Sequence, residues 1–121
     1  MIKEIVDYIE ANTSFVTGTD MFVGYQPDSP DQCVCIREFP VTQNWSGMIT
    51  MRLQVLTRAK DYFTARDDVY VIHNLIKLTG FFITDYLVMF CDIASMPQSI
   101  GHDIAGRFEF SGNYLMYLKE V

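Results

Sequence analysis

Three sets of residues invite a chemical reading by type and spacing: Cys33 with Cys35, His102 with Asp103, and the acidic pair Asp67-Asp68. Cysteines at i and i+2 of a strand point to one face, about 6–7 Å apart. Redox pairs instead take the Cys-x-x-Cys spacing at the start of a helix. A zinc site needs four ligands, and the remaining candidates, Cys91, His73 and His102, show no paired spacing. The cysteines are therefore expected to be small apolar residues facing a core. His102-Asp103 lies in a glycine-flanked segment and could serve acid–base chemistry or hold a ligand. Neighbours in sequence seldom form such a dyad, no G-x-S-x-G nucleophile motif accompanies it, and a turn residue is the plainer reading of His102. Asp67-Asp68 reads as a solvated helix face, and the sequence holds no P-loop, dinucleotide fingerprint or EF-hand spacing. No catalytic residue, metal or cofactor is expected.

The elements that would position these residues are legible from hydrophobic period. Ile2, Ile5, Val6 and Ile9 fall at helical spacing over Ile2 to Ala11, with charged residues between them, which predicts a surface helix laid on a core. Met21 to Tyr25 and Cys33 to Arg37 read as short strands separated by Pro27-Asp28-Ser29-Pro30-Asp31, where two prolines fix φ and remove donors. Phe39 to Gly47 is a polar connection holding Trp45, the only tryptophan. Ile49, Met51, Leu53 and Val55 alternate with Thr50, Arg52 and Gln54, the mark of a half-buried strand over Met48 to Arg58. Asp61 to Thr79 returns to helical period, with Tyr62, Ala65, Val69, Ile72 and Ile76 on one side and Gly80 as a C-cap. Asp85 to Ala94 is apolar on both faces, as in a strand covered on both sides. Arg107 to Lys119 alternates again, and Ser95 to Gly106, with Pro97, Gly101 and Gly106, reads as the loop between these last two strands. The order α-β-β-β-α-β-β predicts an α+β fold, a mainly antiparallel sheet packed with two helices.

The chain has 121 residues, half of them hydrophobic, which fits one domain with its own core. Its 15 Asp+Glu against 9 Lys+Arg give a net charge of −6, so duplex DNA is not expected as a main ligand, because such binders need a basic footprint. The longest apolar stretch, Phe81 to Ile93, is broken by Asp85 and Asp92, and Met1 to Asp7 carries acids where a signal peptide needs a basic region. Membrane anchoring and secretion are not expected, and the three cysteines are expected as free thiols. The two-sided apolar strand, the run Phe81-Phe82-Ile83 and Trp45 exceed what one small core hides, and so suggest a subunit of an assembly.

Several runs together resemble one family. They are Val23-Gly24-Tyr25-Gln26-Pro27-x-x-Pro30, Cys33-Val34-Cys35-Ile36-Arg37-Glu38, and Leu53 to Ala65 with Arg58-Ala59-Lys60-Asp61-Tyr62 at its centre. The ending Pro97-x-x-Ile100-Gly101-x-Asp103-x-x-Gly106-Arg107-x-Glu109-Phe110-Ser111-x-Asn113 completes the set. In order and spacing they are similar to the tail terminator (minor capsid) proteins of long-tailed bacteriophages, from about residue 20 onward. The resemblance implies a structural virion protein without catalysis or cofactor. It would form a homohexameric ring on the head-proximal end of the tail tube, touch the tail tube protein and the head-side connector, and let DNA pass without sequence-specific binding. It places the subunit interface on Arg58, Lys60, Asp61 and Tyr62 and on Asp103 and Arg107, with ion pairs across or within subunits. Beside that stands a plainer reading, in which Asp61 caps a helix, Arg107 is a strand-end charge and the glycines only build corners. Another head–tail joining (neck) protein is the alternative within the particle, and a small ligand-binding module or enzyme using His102 and Asp103 is the alternative outside it.

Overall fold

The structure, a computed structural model, describes residues 2–39, 42–43, 47–77, 81–83 and 85–120. Helix α1 (Ile2–Asn12) buries Ile5, Val6 and Ile9, the stripe its sequence period predicts. Its last turn is closed by side chains: the Asn12 amide donates to the Tyr8 carbonyl and the Thr13 hydroxyl to that of Ile9. Then come β1 (Met21–Val23), β2 (Cys33–Glu38), β3 (Thr42–Gln43), β4 (Met48–Ala59), α2 (Tyr62–Ile76), β5 (Phe81–Ile83), β6 (Tyr86–His102) and β7 (Phe108–Glu120). The α+β class and the expected order are found, with the short strands β3 and β5 added. The sheet runs β1-β2-β4-β7-β6-β5, with β3 also on β4; every pairing is antiparallel except β1 with β2. Among the described residues no helix is long and apolar enough to cross a membrane.

The two helices lie on one face of this sheet. Ile49, Met51, Leu53 and Val55 of β4 and Phe110, Tyr114, Met116 and Leu118 of β7 meet Ala65, Val69, Ile72 and Ile76 of α2 in one core. The Thr57 hydroxyl on that face donates to the Ala65 carbonyl at 2.7 Å. The register places Cys33, Cys35, Leu56 and Arg58 on the opposite face. Helix α2 starts where the sequence places it, because the Asp61 carboxylate caps the Thr64 amide at 2.9 Å. It ends at Ile76 with Lys77 as the cap residue. The expected C-cap Gly80 and Trp45 lie outside the described residues, while the connection expected over Phe39 to Gly47 holds the short strand β3.

Two sequence expectations are corrected in β6. Ser95 to His102 is not loop but the continuation of the strand, and only Asp103 to Arg107 turns. Pro97 is admitted because the strand is bulged there, the register slipping between Ser95 and Gln98, and because β5 pairs only with Tyr86 to Val88. Proline within a sheet is confined to such bulges and edges. The strand is also not covered on both sides: Met89, Phe90 and Ile93 are exposed. A bulge between Val88 and Phe90 breaks the alternation, so Val88 and Cys91 both reach the core and Phe90 turns away, stacked on Tyr117 at 4.3 Å.

A buried polar pair joins α2 to β7. His73 Nδ1 and Tyr114 Oη lie 2.7 Å apart, and the Tyr114 ring folds back over Gly112, where no Cβ stands. A Cβ at Gly112 would sit 2.7 Å from that hydroxyl and 3.2 Å from the ring. Gly112→Ala is therefore expected to cost about 1–3 kcal/mol through overpacking, read as a lowered denaturation midpoint with an unchanged slope. Burial, and then the charge of Lys77, push His73 below its ordinary value. The unfolded chain keeps a histidine near about 6.5, so below that pH the unfolded state binds the extra proton and stability is lost as pH falls. The expected result is a lower melting temperature at pH 5 than at pH 7.5, with the difference reduced in His73→Phe; an equal difference in both proteins would contradict this origin.

Candidate functional site

The segment Pro27-Asp28-Ser29-Pro30-Asp31 lacks two backbone donors because of its prolines, and its carbonyls need donors from elsewhere. Arg58, at the end of β4, supplies them. Its Nη2 donates to the Pro27 and Pro30 carbonyls at 2.6 and 2.7 Å, and its Nε to that of Asp31 at 3.2 Å. The Ser29–Pro30 peptide within the segment is cis. A guanidinium offers five donors in a fixed fork, which suits several acceptors at once. Arg58 is only 4% exposed, so the segment lies over this end of the sheet face opposite the helices.

Arg107, 6% exposed at the start of β7, clamps the same segment to the β6–β7 turn. Its Nη2 meets Asp103 Oδ2 at 2.7 Å and Asp28 Oδ1 at 3.0 Å, and its Nε donates to Asp103 Oδ2 at 2.8 Å. Nη1 donates to the Asp28 carbonyl and lies 3.4 Å from Asp31 Oδ1. The Arg107 amide donates to Asp103 Oδ1 at 2.9 Å; that bond first, and the guanidinium with it, holds the Asp103 carboxyl below its ordinary value. The turn is closed by Asp103 N–H to Arg107 O and Gly106 N–H to Asp103 O, both 2.9 Å. Gly106 sits at φ +80°, a conformation glycine adopts without a Cβ clash.

The six residues read as an interface converge on this corner, since Ala59 pairs with Phe108 and so brings the end of β4 beside the start of β7. Lys60 Nζ lies 3.2 Å from Asp31 Oδ2 at the surface. Asp61 caps α2, as the plainer reading had it. Tyr62 stands edge-on to Phe108 and Phe110, at 5.6 and 5.0 Å, and to the exposed Phe63 at 5.4 Å. The ion pairs of Arg107 and Lys60 are made within the chain. Asp28 and Asp31 complete the clamp and are not singled out by the sequence; the signal for them is an acid directly after each of two closely spaced prolines.

His102 and Asp103 are not joined as a dyad. The Asp103 carboxylate accepts from Arg107, and the His102 ring faces Phe108 at 6.1 Å. Cys33, Cys35 and Cys91 are buried free thiols, and the first two are small core-facing residues of a strand as their spacing suggests. Burial raises all three, Cys91 to about 12, which keeps them from acting as thiolates. Among the described residues no group of three His, Cys, Asp or Glu is placed to hold a metal ion.

Along β6 and its turn, Met89, Phe90, Ile93, Met96, Ile100 and Ile104 are exposed. Such surface on a rigid frame is the equipment of a protein that works by association. The chain belongs to the bacteriophage tail terminator protein family, whose model it matches over residues 8–120. It is thus a structural protein of the phage tail. No curated protein matches it.

Proposed function

We propose that the chain forms a homohexameric ring that caps the head-proximal end of the tail tube and joins it to the head-side connector. DNA passes through the ring without sequence-specific contact. The observation that carries this reading is the number of apolar side chains exposed along β6 and its turn, on both faces of the strand. A bare strand edge of that length invites pairing by its backbone, yet four register irregularities and Pro97 blunt it for that purpose. Side chains rather than backbone groups are left to make the contact. Lys60, Tyr62 and the turn bearing Asp103 form the interface surface, while buried Arg58 and Arg107 hold that surface in place from beneath.

Net charge supports the passive passage of DNA, because 15 acids against 9 bases repel a polyanion rather than retain it. Light scattering of polymerising tail tube protein tests the capping role. Addition of the chain in amounts far below the tube protein should halt growth at a length set by their ratio. Growth that continues unchanged at equimolar chain would overturn the proposal.

A further inference from the structure

The segment over Arg58 covers one end of the sheet face opposite the helices, and the middle of that face is open, with Arg52 and Phe90 exposed there. One register row crosses it as Arg52 on β4, Leu115 on β7 and Asp92 on β6. All three point away from the core, because their sequence neighbours Met51, Leu53, Tyr114, Met116 and Cys91 fill it. Arg52 and Asp92 are exposed, and among the described residues neither has an ion-pair partner. Two strand spacings, about 10 Å, separate them across Leu115. The next row is Thr50, Tyr117 and Phe90, with Phe90 stacked on Tyr117 and 43% exposed.

We infer that the free chain pairs with a second copy through this open sheet face, about a two-fold axis running along β7. Such an axis exchanges the strands on either side of β7. Arg52 of each copy then faces Asp92 of the other, Leu115 meets Leu115, and Phe90 lies over the shorter Thr50. Sheets stacked face to face stand about 10 Å apart, a gap that an arginine and an aspartate side chain span together. Two opposite-charge pairs flank an apolar centre, so charge fixes the register while buried apolar surface supplies affinity. Lys119 faces its own copy across the axis, but about 13 Å along β7 from Leu115, where twist carries aligned sheets apart. The contact is isologous and closes on itself, so it differs from the head-to-tail contact of a ring. It stands on the Arg52–Leu115–Asp92 row, beyond the ring reading, and leaves the Lys60, Tyr62 and Asp103 corner free, about 20 Å away at the far end of β4.

Native mass measurement and sedimentation of the chain alone, without tail tube protein, test the pairing. The expected mass is twice the 14.0 kDa of one chain, falling to a single chain on dilution. Arg52→Glu and Asp92→Arg each set like charges across the axis and should weaken the dimer roughly tenfold or more. The double variant Arg52→Glu, Asp92→Arg should recover it, because opposite charges face each other again. Both side chains are exposed, so circular dichroism of each single variant should match the parent. In Leu115→Cys a short bismaleimide should link copies in pairs, since that residue lies on the axis. A parent chain that stays monomeric at every concentration, or associates only as rings, would overturn the inference; the second result would leave the ring reading standing. Single variants that pair like the parent, or a double variant that stays monomeric, would overturn it equally. Dimers that give no rings beside tail tube protein would support the pairing and count against the ring alone.

Discussion

Arg58→Ala should lower the unfolding free energy by about 3 kcal/mol or more, because hydrogen bonds from a charged donor contribute roughly 1.5–3 kcal/mol each and the orphaned acceptors add their own penalty. Three carbonyls, those of Pro27, Pro30 and Asp31, lose their donor at once. Two of the residues between and around them are prolines, so the segment has few ways to re-form bonds within itself. In a domain of this size a loss of that order lowers the melting temperature by roughly 10 °C. Arg58→Met separates the causes, since it keeps much of the packing of the stem while removing every donor. Chemical denaturation of both variants checks the expectation. A midpoint shared by Arg58→Met and the parent would show that the carbonyl contacts contribute nothing net.

Arg107→Ala should leave the sheet folded and reduce ring assembly beside tail tube protein by at least tenfold. The reason is position. Arg107 stands where β7 begins, and its fork ties the turn to Asp28 and Asp31, 79 and 76 positions away in sequence. Without it the turn keeps its two backbone bonds but loses its attachment to the proline-bracketed segment. Asp103 and Asp28 then lose their guanidinium partner, and Asp31 keeps only Lys60, at 3.2 Å. Arg107→Lys should recover little, because one ammonium cannot span three carboxylates and a carbonyl in the geometry the planar fork satisfies. Circular dichroism should show parent-like secondary structure in both variants, and sedimentation should show the loss of assembly. Full assembly of Arg107→Ala would remove the clamp from the account of the interface.

Much of the fold is written in local pattern. The alternation of Ile49, Met51, Leu53 and Val55 against Thr50, Arg52 and Gln54 marks β4, and the helical period after Asp61 marks α2 together with its cap. The cysteine spacing correctly reads as buried strand. The far half of β6 is not legible, because Pro97 and Gly101 are loop signals in isolation and only the bulges, a property of pairing with β7, make them compatible with a strand. Two- and three-residue strands such as β3 and β5 are too short to show any period. The corner was half legible. Runs around Arg58 and Arg107 single out two of the segments that meet there, but the contacts that join them to Asp31 and Asp28 span 27 and 79 positions and leave no local trace. The same holds for His73 and Tyr114, 41 positions apart.

The most direct test of the central claim is electron microscopy of tail tubes assembled with this chain, combined with native mass measurement of what sits at their ends. The account predicts a homohexameric ring at one end of each tube and tubes that stop growing once capped. A chain that stays monomeric beside the tubes, with both tube ends bare, would contradict it.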